Sequence, residues 1–183
     1  AMFITTLFIQ SALMSIAPFV SLLVKSLMHG TGNVSFVSGV VAAMPGFGTL
    51  LVASRLGVKM DKIGPLKVLV FGLVAAMVVF LPMYFVTSPW SLGFWRFLLG
   101  IANAALLPAV QTVLTVSVPR EAFGRIFSYN QSFQAAGAML GSMMGSLISG
   151  LFNYQAVFLV TAALMALNLL LIWKVHRPLE NEK

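Results

Sequence analysis

Long apolar runs separated by short polar connections organise the chain. Six runs reach the roughly 20 residues that a helix needs to cross a bilayer core: 2–24, 34–53, 66–86, 90–116, 124–149 and 154–174. The connections at 25–33, 54–65, 87–89, 117–123 and 150–153 are short, and a polar tail occupies 176–183. Runs this long exclude transmembrane strands, which would be about 10 residues of alternating character. The pattern predicts an all-α integral membrane protein, a bundle of six transmembrane helices over 1–175 followed by a tail.

The runs are not equally apolar. The third, from Val68 to Val86, has only Tyr84 as a side-chain hydrogen-bonding group, and the apolar body of the sixth has only Thr161 and Asn168. Those two are expected to face lipid. The first carries Thr5, Thr6, Gln10, Ser11 and Ser15; the fourth carries Arg96, Asn103, Gln111, Thr112 and Thr115; the fifth carries Ser128 to Ser132 and Gln134. Polar groups in hydrocarbon are costly unless paired or hydrated, so these three should turn inward or line a wet cavity. The alternation suggests two sets of three helices, without a residue-level repeat.

Small residues mark two helices. The second run holds Gly39, Ala42, Ala43, Gly46 and Gly48 beside Pro45, and the fifth holds Gly137, Gly141 and Gly145 at four-residue spacing. Such rows let helix backbones approach closely. They serve either packing within this bundle or packing against a second unit. Asn130, Gln134, Gly137 and Gly141 fall on one helix face, a polar-then-small stripe. Pro18, Pro45, Pro82 and Pro108 sit inside helices, where each frees a carbonyl and can bend the backbone.

Composition removes the soluble reading: 60% of residues are hydrophobic and 8% charged, against about 25% charged in a soluble domain. The net charge of +7 therefore reads as topogenic charge at a membrane surface rather than as a nucleic-acid footprint. Arg55, Lys59, Lys62, Lys67, Arg120, Arg125, Lys174, Arg177 and Lys183 fall on one side of the six-helix map and Lys25 on the other. Basic loops stay in the cytoplasm, so this multi-pass chain is expected to have both ends there. The chain opens at Ala1-Met2 inside an apolar run, which reads as a cut end.

Candidate chemistry is sparse. There is no cysteine, which excludes disulfides, Fe–S clusters and thiol catalysis. His29 and His176 lack metal-ligand spacing, and nothing resembles hydrolytic or redox chemistry, so no enzyme, metal or cofactor is expected. Asn33-Val34-Ser35 fits a weak glycosylation acceptor. Arg96, within the fourth run, either snorkels to the outer interface or lines a cavity and holds a carbonyl or carboxylate. Asp61 with Arg55 and Lys59 forms either a solvated cluster or a latch between helix ends.

Several motifs carry a resemblance. Gly57, Asp61, Lys62, Gly64 and Lys67 match a Gly–acid–base loop pattern; Trp95-Arg96-Phe97-Leu98-Leu99-Gly100 is an Arg-containing helix signature; Gly137, Gly141 and Gly145 form a Gly-rich row. Together with 106–112 and 124–133, they resemble the C-terminal six-helix half of major facilitator superfamily transporters, in particular bacterial multidrug efflux members of the drug:proton antiporter branch. The resemblance implies alternating access around a substrate held between two halves, with a missing N-terminal half of the same polypeptide as partner. It implies amphipathic substrates, a proton gradient as energy source, and a cavity to which Gln10, Asn103, Gln111, Asn130 and Gln134 contribute. Arg55, Lys59, Asp61, Arg96, Gly137, Gly141 and Gly145 would be structural or gating residues. The chain departs from the pattern in having Gly141-Ser142 where Gly-Pro is usual, and an amide at Asn103 where some relatives carry an acid. No acid lies in any apolar run. A metabolite carrier of the same fold and a non-transporting six-helix subunit remain as alternatives, and a wet polar face argues against the latter.

Overall fold

The computed structural model describes residues 1–29 and 32–180, with side chains to residue 174; the side chains expected in the tail, His176 and Arg177 among them, lie outside the described residues. The helices are α1 (Met2–Ile16), α2 (Val20–Leu27), α3 (Val34–Ile63), α4 (Pro65–Met83), α5 (Pro89–Asn103), α6 (Leu106–Ser117), α7 (Phe123–Leu151) and α8 (Ala156–Glu180).

Two of the six expected spans are broken in the middle. α1 and α2 form one membrane-length unit interrupted by a 3-10 turn at Ala17–Phe19, and that turn contains Pro18. α5 and α6 form another, interrupted at Ala104 and Ala105. Pro108 lacks the N–H that would bond the carbonyl of Ala104, so the break sits where the proline removes a rung.

The largest departure from expectation is the basic stretch. The apolar run ends near Ala53, but the helix does not: α3 continues to Ile63, so the expected connection at 54–65 is mostly helix. Arg55, Leu56, Lys59, Met60 and Lys62 are good helix formers, and Gly57 is the poorest of their neighbours. Gly64 takes φ +90°, which glycine adopts at no steric cost. Pro65 then opens α4, with its fixed φ ready for a first turn. At the other end Asn33 caps α3, accepting from the Phe36 N–H at 3.2 Å. The asparagine of the possible glycosylation site is thus the helix cap.

Among the described residues five helical units are long and apolar enough to cross a membrane, ending with Ala156–Lys174. α7 has the length, 29 residues or about 43 Å, but its first half is too polar to qualify by composition. Its placement completes the bundle. Gly137, Gly141 and Gly145 lie against Leu7, Ser11 and Ser15 in turn, so α7 runs beside α1 in the same direction and at the same depth.

The packing reveals the two sets of three that the sequence only suggests. α1 packs on α7, and α5 packs on α3; α4 and α8 pack on each other; α4 leans on α5 and α6, and α8 leans on α1. Exchanging one set for the other preserves the scheme, as in transporters built from inverted repeats. The core lies between the layers, with Leu69, Leu73, Phe80 and Met83 of α4 against Phe158 and Met165 of α8. The two outer helices show lipid-facing residues on one face, such as Phe71 on α4 and Leu167 and Trp173 on α8. Their polar groups point the other way: Thr161 and Asn168 are fully buried. α3 is the least buried helix, with Leu50 at 77% exposure and Phe47 and Leu51 also open.

Candidate functional site

The α1–α7 seam is closed by backbone contact. A Cβ on Gly141 would collide with the carbonyl oxygen of Ser11, and one on Gly145 with that of Ser15. Hydroxyls bridge the closely packed backbones: Ser11 Oγ donates to the Gly137 carbonyl at 2.9 Å, and Thr6 Oγ1 donates to Asn130 Oδ1 at 2.7 Å. Phe3 and Phe133 stack with centroids 5.3 Å apart at one end. α8 joins from behind, where Ser15 and Thr161 share a hydrogen bond at 3.0 Å and Asn168 Nδ2 donates to the Thr5 carbonyl at 3.4 Å.

The α3–α5 seam has the same small-residue contacts but a different polar closure. A Cβ on Gly48 would strike the Phe97 carbonyl, and one on Gly100 would strike Pro45. Pro45 sits in the middle of α3. It has no N–H, so the carbonyl of Val41, four residues earlier, loses its helical partner. Arg96 Nε donates to that carbonyl at 3.1 Å. One turn on, Thr49 Oγ1 donates to the carbonyls of Pro45 and Gly100, each at 3.0 Å. Arg96 also lines a small inner pocket with Ile16, Leu23, Leu92, Tyr154 and Phe158. Of the two alternatives for Arg96, the structure shows the one in which it holds a carbonyl.

The cavity candidates divide into two groups. Gln10, Asn130 and Gln134 lie along the α1–α7 seam. Asn130 is 2% exposed and its carbonyl oxygen is taken by Thr6, so its side chain joins two helices rather than facing open space. Gln10 lies beside Gly137. Gln134 Nε2 is buried without a hydrogen-bond partner. Asn103 and Gln111 lie on either side of the α5–α6 break, and Asn103 Oδ1 is likewise buried and unpartnered. No hydrogen bond joins the two groups among the described residues. Buried amide atoms normally have partners, so Gln134 and Asn103 are the two candidates with unused capacity for one.

The basic stretch shows no latch in this chain. Arg55, Lys59 and Asp61 are all exposed, and no ion pair forms among the described residues. Lys59 and Asp61 are two residues apart on a helix, hence on nearly opposite sides of it.

Sequence reasoning missed the link between Pro45 and Arg96. A signal existed, since a mid-helix proline announces a free carbonyl four residues back, but nothing in the sequence says which neighbour reaches it. It also left Thr161 and Asn168 without a role, and they turn out to tie α8 to α1.

Comparison with known proteins agrees with this architecture. The family model described as Major Facilitator Superfamily matches residues 2–183. The chain belongs to the major facilitator superfamily. Among its relatives, Multidrug resistance protein MdtG of Escherichia fergusonii is 47% identical over 177 residues, covering 97% of this chain and 43% of the relative. The protein of the same name in Citrobacter koseri is 47% identical over 97% of this chain and 44% of its own length. That of Dickeya zeae is 46% identical over 100% of this chain and 45% of its own length. The chain thus spans less than half the length of these relatives. As a superfamily member with several membrane-length apolar helices, it is a multi-pass membrane protein.

Proposed function

We propose that this chain is the C-terminal half of a secondary transporter that exports amphipathic compounds by proton antiport, with the substrate held between two six-helix halves. The observation that carries the reading is identity near half, over nearly the whole chain, to proteins named for multidrug resistance. The geometry supports it. Two broken spans, α1–α2 and α5–α6, occupy corresponding places in the two sets of three helices, where such transporters build their sites. Gln134 and Asn103 supply buried, unpartnered amide atoms, and Gln10 and Gln111 lie on the two broken spans. Neutral amides among bulky apolar groups suit large amphipathic substrates better than small charged ones.

The partner is the other half of the polypeptide. Gly39, Ala42, Ala43 and Gly46 on α3 are all exposed, and no described residue packed on that helix lies within 4 Å of a Cβ added at Gly39 or Gly46; this is the face on which the other half docks. Nine bases against one support a cytoplasmic location for both ends of the chain, and Arg55, Lys59 and Asp61, all exposed, are the residues that would meet helix ends of that half as a gate latch. The apolar runs of this chain hold no carboxylate, so the proton-carrying acid is assigned to the other half.

The test uses the full-length transporter in proteoliposomes carrying a proton gradient. Efflux of a lipophilic cationic dye should follow the gradient, and Asn103→Leu and Gln134→Leu should each slow it at unchanged expression. Movement of one small metabolite but no dye would favour a metabolite carrier on the same fold, since fold does not fix substrate. Failure to move either would return the chain to the non-transporting alternative.

A further inference from the structure

We propose that the crevice between α3, α4 and α5 holds one acyl chain of an anionic phospholipid, with Lys59 at its mouth on the headgroup phosphate. The crevice is an open cavity of about 360 Å³ whose walls include Leu56, Phe71, Ala75, Val79 and Ile101. Lys59 of α3 and Val68 of α4 are the lining residues nearest in sequence to the Gly64–Pro65 turn, and Leu98, Ile101 and Ala102 of α5 complete the walls. Along α4 the lining runs from Val68 to Val79, a rise of about 16 Å. That is about half of the roughly 30 Å hydrocarbon core, the depth of a single leaflet.

Its charge pattern suits a lipid rather than an uncharged apolar guest. Lys59 is the one charged residue in the lining and stands at the end nearest the turn. Lys67, exposed on the first turns of α4, adds a second base one residue before the first apolar wall residue. Asp61 lies on the other side of α3 and does not neutralise them. A basic mouth on an apolar slot one leaflet deep is the arrangement by which pockets between membrane helices recognise anionic headgroups. The occupied leaflet is the one at the turn, the cytoplasmic leaflet on the orientation proposed above; selection by headgroup charge does not depend on that assignment or on the transported substrate.

The test is native mass spectrometry of the purified full-length transporter titrated with phosphatidylglycerol or phosphatidylcholine of the same chains. The proposal expects one phosphatidylglycerol retained in preference to phosphatidylcholine. Lys59→Gln should reduce that preference about fivefold, the worth of one base near an anionic surface. Ala75→Phe, which fills the slot, should weaken retention of both lipids. Arg120→Gln, at an exposed base far along the chain, should leave the preference intact. Equal retention of the two lipids by the unmodified protein would overturn the proposal, as would a Lys59→Gln preference equal to wild type. So would an effect of Arg120→Gln as large as that of Lys59→Gln, which would mean general surface charge. Lys59 is exposed and in no ion pair among the described residues, so its variant keeps the fold, and that comparison decides the matter even if Ala75→Phe does not fold.

Discussion

The α1–α7 and α3–α5 seams occupy equivalent places in the two sets of three helices, and both depend on glycine for close approach. They differ in what completes them. α1–α7 is sealed by three glycines and neutral hydroxyls, with no proline between Leu7 and Ser15 or between Gly137 and Gly145. α3–α5 contains a proline, which leaves the Val41 carbonyl bare, and an arginine from the neighbouring helix takes it. The first seam is therefore a matter of shape and the second of shape plus one charged hydrogen bond. A seam held by shape fails when volume is added; a seam held by a cap fails when the cap is removed.

The largest expected effect breaks the first seam. Gly141→Leu drives a side chain into the Ser11 backbone, and neither helix can yield without separating. The cost should reach about 3 kcal/mol, the upper part of the usual range for overpacking. It is checked by the yield of monodisperse full-length protein and its apparent melting temperature in detergent; native values for both would mean the seam is looser than described. A sharper contrast comes from Gly46→Ala, where the space in this chain is open. Folding should be unharmed or improved by about 0.5–1 kcal/mol, since alanine favours a helix interior. If the other half docks there, transport should fall while melting does not.

Next in size is the second seam. Arg96→Met leaves a buried carbonyl without a partner, at a cost of about 1–3 kcal/mol. Arg96→Lys keeps the charge but not the planar guanidinium that reaches Val41, and should fall between wild type and Arg96→Met in melting temperature. Thr49→Val, which removes the hydroxyl bridging Pro45 and Gly100, should cost about 0.5–1.5 kcal/mol. The smallest expected effect is at Asp61: exposed and without an ion pair among the described residues, it should tolerate Asp61→Asn with melting unchanged. A loss of transport by that variant at normal expression would support the proposed latch, and unchanged transport would remove it.

The all-helical membrane architecture was legible because it rests on run length and composition, which no tertiary contact can disguise. The helix break near Ala104 was implied by Pro108, though its position was not. The continuation of α3 to Ile63 was hidden because hydropathy marks where a helix leaves the apolar layer, not where it ends. Helix propensity and the Gly64-Pro65 stop carry that second signal. At the candidate site, the residue types were visible and their neighbours were not. Asn130 and Gln134 look equivalent in sequence, four apart on one face, yet Thr6 reaches the first and Nε2 of the second has no partner among the described residues. The glycine rows were equally ambiguous: the row on α7 is used within this bundle, while Gly39 and Gly46 on α3 face open space. Which row meets which partner depends on the packing of whole helices, and no local pattern encodes it.

The most direct test of the Pro45–Arg96 account is a double-mutant cycle of Arg96→Met and Pro45→Ala, read as apparent melting temperature of the full-length transporter. Alanine at position 45 restores an N–H to the Val41 carbonyl, so the account predicts that Arg96→Met costs far less in the Pro45→Ala background than alone, with a coupling of about 1 kcal/mol or more. Additive costs would contradict it, and would mean that Arg96 stabilises the bundle through something other than the carbonyl the proline sets free.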